Sequence, residues 1–171
     1  MPKAGGGDKY PQEIIFNTPT SSNTSWVSVG VEIPLLNLPG ATANTARVIE
    51  ILEIEYIPLV SAVSPSFLAV SSVDYGGQTV SNFPVTSVAQ DIRNVSFRNC
   101  PILGAADTNV VDELTVKDKG VLFPGPTIFV NLSSGATGNL FNIRIMYRVK
   151  NVSNIEYIGL VNQYLIGANV M

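Results

Sequence analysis

Residues 139–150, Asn-Leu-Phe-Asn-Ile-Arg-Ile-Met-Tyr-Arg-Val-Lys, alternate apolar and polar side chains with period two. Phe141, Ile143, Ile145, Tyr147 and Val149 fall on one side of an extended chain, and Asn142, Arg144, Met146, Arg148 and Lys150 on the other. A helix would scatter both sets around its circumference, whereas a strand separates them. The run therefore predicts a long, half-buried β-strand with a basic outer face.

The rest of the chain repeats this theme in shorter pieces. Residues 25–33 place Val27, Val29, Val31 and Ile33 on one face and Trp26, Ser28, Gly30 and Glu32 on the other. Residues 46–58 form a second long strand whose alternation breaks midway. Ile49 and Ile51 share a parity with Glu53 and Glu55, while Leu52, Ile54 and Tyr56 share the other with Glu50. Its β-branched content argues against a helix, and a bulge near Glu50–Leu52 restores the pattern. Burial of both faces is the other reading. Further strands are expected at 12–17, 66–73, 78–82, 92–98, 109–116, 126–132 and 155–163, with one helical turn in 83–91. Gly and Pro punctuate them, as at Gly76-Gly77, Pro84, Pro101, Gly120 and Pro124-Gly125-Pro126. Many short strands with such connections predict an antiparallel sandwich or barrel. No linker divides the chain, so residues 11–171 read as one domain behind a Gly-rich tail at 1–10.

Charge is scarce. Only 13% of the residues are ionised, about half the usual share, and Ser, Thr, Asn and Gly must cover much of the exterior. Such a surface is weakly protected against association. Two readings stand: a polar, uncharged soluble surface, or one that is largely interface. Net charge is −3, unlike a protein that binds nucleic acid by neutralising phosphates. Glu50, Glu53 and Glu55 in one long strand complement Arg144, Arg148 and Lys150 in the other. If the strands are neighbours these rows pair; otherwise the basic row is free to face a nucleic acid.

Catalytic chemistry is poorly supplied. There is no histidine, which removes Ser-His-Asp and Cys-His catalysis and the commonest metal ligand. Asp112 and Glu113 point to opposite faces of a strand, and Asp107, Asp112 and Asp118 lack EF-hand spacing. Cys100 has no base to activate it and reads as a small side chain at a strand end. Enzymatic activity, a metal site and a cofactor are therefore not expected. No run approaches the roughly 18 apolar residues of a membrane span. Sequons at Asn23, Asn94, Asn131 and Asn151 read as turn chemistry in an Asn/Ser-rich chain.

Arg47-Val-Ile-Glu-Ile-Leu-Glu-Ile54 resembles the first long strand of small capsid proteins from circular single-stranded DNA viruses that encode a rolling-circle replication protein. The run Ile143–Ser153, with Glu156-Tyr-Ile-Gly-Leu-Val-Asn-Gln163 after it, is similar to their closing strand pair. The resemblance covers the last fifth of the chain and, more loosely, the 46–58 segment. It implies an eight-stranded antiparallel jelly roll that self-assembles into an icosahedral shell of about 60 copies in the simplest case, located in the virion. Capsid proteins of this family usually begin with a Lys/Arg-rich arm, and here the first ten residues carry only Lys3 and Lys9. Arg144, Arg148, Lys150, Arg93 and Arg98 remain the candidates for contact with genomic single-stranded DNA, which would be weak.

The partner implied is the same chain in many copies. Candidate interface residues are Trp26, Glu50, Glu53 and Glu55; the other reading of Trp26, and the favoured one, is a residue packed under a loop. The competing function is a β-sandwich module or spike that recognises carbohydrate or a receptor through Tyr75, Phe83 and Phe123.

Overall fold

Two long strands make the centre of the molecule. The computed structural model describes residues 11–18, 20, 25–33, 44–59, 66–82, 84–100, 110–113, 120–136, 138 and 140–166. In chain order the elements are β1 (Gln12–Asn17), β2 (Val27–Glu32), β3 (Thr45–Pro58), β4 (Ser66–Ser71), α1 (Val85–Ala89), β5 (Asn94–Cys100), β6 (Val110–Glu113), β7 (Val121–Phe123), β8 (Thr127–Ser134), β9 (Phe141–Ser153) and α2 (Asn154–Val161), which runs into a π-helical turn, Asn162–Ile166. β3 and β9 pair antiparallel from Thr45↔Ser153 to Pro58↔Phe141.

The break in β3's alternation is a bulge. Ile51 opposes Tyr147 and Glu53 opposes Met146, so Leu52 is the extra residue. It switches the parity of everything beyond it. Ile49 and Ile51 before it, and Ile54 and Tyr56 after it, consequently all enter the core, while Glu50, Glu53 and Glu55 all face outward on one side. The β9 alternation holds along its length, with Phe141, Ile143, Ile145, Tyr147 and Val149 buried.

The strands pair as nested partners: β1 with β9, β2 with β8, β3 with β6 and β7, and β4 with β5. One sheet runs β1-β9-β3-β6 with β7 also on β3, and the other runs β2-β8-β4-β5. This is a hairpin of the whole chain rolled into two facing sheets, the jelly roll. β6 and β7 meet different stretches of the same β3 edge, Glu53–Tyr56 and Ile49–Ile51, so together they fill one of eight strand places. Both sheets feed a single core, in which Ile49, Ile54 and Ile145 meet Leu68, Ile128, Val130 and Leu132.

Two expectations change, and one strand was not foreseen. Residues 155–163 are helical, not a strand: Ser153 caps α2, its hydroxyl accepting from the Glu156 N–H at 3.2 Å, and Ser153-Asn-Ile-Glu156 is a capping-box sequence. Residues 78–82 make successive turns, with only an isolated Ser25↔Thr79 bridge, because Gly77 takes φ +80° and reverses the chain. β7 was not anticipated, since three residues are too few to display a period. Of 109–116, the segment 110–113 is β6 and the remainder lies outside the described residues, as does the 1–10 tail. The helical turn expected in 83–91 is α1.

Candidate functional site

The outer face of the β3–β9 ladder carries the charged rows, and they pair. Glu55 opposes Arg144 and Glu50 opposes Arg148 in register. Arg144 Nη2 lies 2.6 Å from Glu55 Oε2 and 3.8 Å from Glu53 Oε1. Glu50 is fully buried and accepts from Arg148 Nε, from Lys150 Nζ at 3.1 Å and from the Gly120 N–H at 3.1 Å. The chain passes close over this carboxylate: a Cβ on Gly120 would stand 2.2 Å from the Ile51 carbonyl oxygen, so only glycine fits there.

Burial pushes the Glu50 carboxyl up, but the bonds from Arg148, Lys150 and Gly120 outweigh it and hold the group below the ordinary glutamate value. A depressed carboxylate contributes stability that is complete above the unfolded-state pKa and is lost as pH falls through the folded-state one. Asp91 is depressed for the same kind of reason. Thermal melts should therefore show Tm falling as the pH drops below the ordinary carboxylate range. Glu50→Gln should show a smaller acid loss than the unaltered chain, because its share is already gone at neutral pH. An equal acid loss in both would contradict the assignment to Glu50.

The five candidate nucleic-acid residues do not form one basic surface. Arg144, Arg148 and Lys150 are neutralised by glutamates of the same sheet. Arg93 is closed on Asp91, donating from Nε at 2.8 Å and from Nη2 at 2.5 Å, and Asp91 also accepts from the Tyr75 hydroxyl at 2.7 Å. Burial opposes ionisation of Asp91, yet Arg93 and Tyr75 hold its carboxyl below the usual range. Burial and the facing Asp91 push the Tyr75 phenol up. Arg98 is half-buried on β5, on the same face as Ser96, whose hydroxyl meets that of Tyr56 inside the sandwich at 2.7 Å. The open cationic stripe that phosphate binding needs is thus not built from these five.

Trp26 is not a surface anchor. It is fully buried in a second cluster with Ala69, Tyr75 and Val88 on the outer face of the smaller sheet. Its ring centroid lies 6.0 Å from that of Tyr75, and its backbone bonds Gln78 at 2.9 Å and Gly77 at 3.0 Å. Asn131 fixes the covering segment: it accepts from the Tyr75 N–H at 2.9 Å and donates to Ser71 Oγ and Val73 O at 3.1 and 3.0 Å. Fully buried and bonded in this way, it is no glycan acceptor in the folded subunit. Glu50 and Glu55 also face outward but are buried under their partners, so of the proposed interface residues only Glu53 keeps appreciable exposure. Tyr75 and Phe123 are buried and Phe83 lies outside the described residues, so a sugar-stacking platform of these aromatics is not formed.

Apolar surface remains elsewhere. Ile155 is 85% exposed, Ile92 64%, Ile158 58%, Ile15 55% and Leu59 43%. Ile155 and Ile158 fall in a run that reads as a strand, so their place on the open face of a helix was not foreseen. Among the described residues no group of His, Cys, Asp and Glu could hold a metal ion, and no helix is long and apolar enough to cross a membrane.

No family model and no curated protein matches the chain. Solved structures do. Merkel cell polyomavirus VP1 in complex with disialyllactose aligns over 86% of this chain and 97% of its own, with a TM-score of 0.55 and 12% identity. The unassembled KI polyomavirus VP1 pentamer aligns over 85% and 96%, at 0.54 and 11%. Apo New Jersey polyomavirus VP1 aligns over 85% and 100%, at 0.53 and 10%. At these identities the likeness establishes a shared jelly-roll fold, and the VP1 structures are of a different virus group from the one the sequence resembles.

Proposed function

We propose that this chain is a viral capsid subunit that works by repeated association with copies of itself, forming a closed shell in the virion without a catalytic step. The observation that carries the reading is the nested two-sheet jelly roll, shared with VP1 proteins over most of this chain's length. The sparse charge supports it, since uncharged surface can be buried between subunits at little desolvation cost. Two further points belong to the same reading. The residue runs at 47–54 and 143–153 favour circular single-stranded DNA viruses as the source. A pentamer, as named for KI polyomavirus VP1, is a natural assembly unit, because a head-to-tail contact that closes makes a ring. The genome is enclosed with little help from Arg144, Arg148 and Lys150, whose charge is already neutralised.

Sedimentation velocity of the purified chain tests this. A fast, uniform boundary should appear above a threshold concentration and grow at the expense of the monomer. Slow monomer alone at every concentration and ionic strength would overturn the proposal.

A further inference from the structure

We infer that the exposed face of α2 is a contact site for a second copy of this chain; the inference rests on the capsid reading above. One side of the helix is firmly held. Leu160 packs on the core, and Tyr164, in the π-helical turn, is buried with its ring centroid 5.5 Å from that of Phe123. Ser153 caps the start, the Asn154 N–H bonds the Asn44 carbonyl at 3.3 Å, and the Ser72 hydroxyl donates to the Tyr164 carbonyl. The helix is therefore a fixed part of the fold.

Its other side is apolar and open. Ile155 and Ile158 stand three residues apart on one helical face, 85% and 58% exposed. Gly159 beside them has no atom within 4 Å of where a Cβ would stand, so a partner's backbone can come close. Asn154 and Glu156 are the polar residues of Asn-Ile-Glu-Tyr-Ile-Gly-Leu-Val, and a helix apolar nearly all round is normally covered all round. Ile92 is at the same end of the sandwich, since Arg93 O accepts from the Ser72 N–H at 3.3 Å and Ser72 also holds Tyr164.

Charge and area select the occupant. α2 carries no cation, and Arg93 beside Ile92 is closed on Asp91, so this face offers nothing to a lipid headgroup or a phosphate. Three exposed isoleucines fall well short of the ~800 Å² per partner that a stable pair buries. A contact of that size does not hold one foreign protein alone. It suits a contact repeated around a shell, where each copy is held by several neighbours at once.

The test compares the unaltered chain, Ile155→Asp/Ile158→Asp and Ile155→Leu/Ile158→Leu. The aspartate pair should keep the circular dichroism and Tm of the unaltered chain, and its assembly threshold should rise at least about tenfold. The leucine pair should assemble as before. In the unaltered chain, amide exchange over 154–161 should slow on passing from subunit to particle, a reading independent of how any variant folds. Unchanged assembly of the aspartate pair, or equal exchange in subunit and particle, would overturn this contact and leave the capsid reading standing. If the unaltered chain never assembles, the capsid reading falls and takes the contact with it.

Discussion

Glu50→Ala is expected to destabilise the folded subunit by about 3 kcal/mol, measured as the loss of unfolding free energy in urea. The glutamate has no solvent exposure and is bonded by Arg148, Lys150 and the Gly120 N–H. Removing it takes the buried carboxylate away from both cations and the acceptor away from the Gly120 amide. Arg148 and Lys150 keep 28% and 36% side-chain exposure and recover part of their hydration, which holds the loss to the lower end of the range for broken buried pairs. Glu53→Ala on the same face is the control. Its carboxylate is 26% exposed and 3.8 Å from Arg144, so its removal should cost less than about 1 kcal/mol. Equal losses for the two variants would mean that the buried site has no special weight.

Trp26→Ala should cost about 3–5 kcal/mol, because the indole is completely enclosed by the segment that crosses the smaller sheet. The cavity would open between Tyr75, Ala69 and Val88, where the surroundings can collapse only partly: Tyr75 is tied to Asp91 through its hydroxyl and to Asn131 through its N–H. Trp26→Phe should lose less than half as much, since it keeps most of the packed volume. Far-UV circular dichroism in urea serves as the probe, because Trp26 is the only tryptophan and its fluorescence disappears with it. A variant with unaltered stability but impaired assembly would contradict the buried placement and restore Trp26 as an interface residue.

What the sequence made legible follows from period two. β9 and β2 could be read because each has one buried face and one polar face. The bulge in β3 could be placed because a parity switch between Ile51 and Ile54 has few other causes. The Glu/Arg pairing was one of two readings of the charged rows, and the β3–β9 ladder decides for it. What could not be read has different physics. α2 is rich in isoleucine, which favours strands, and its capping box was outweighed by that local composition. Trp26 falls on the outward parity of β2, and outward means solvent only where no other segment covers the sheet; here Val73, Tyr75, Val80, Val85 and Val88 do. The exposed face of α2 depends on how the chain's end folds back over the sandwich, which no local pattern encodes.

Cryo-electron microscopy of the purified chain, with no other component added, should show closed particles of one diameter, with Ile155 and Ile158 of each subunit covered by a neighbouring copy. Dispersed 18.3 kDa subunits at every concentration would contradict the capsid reading.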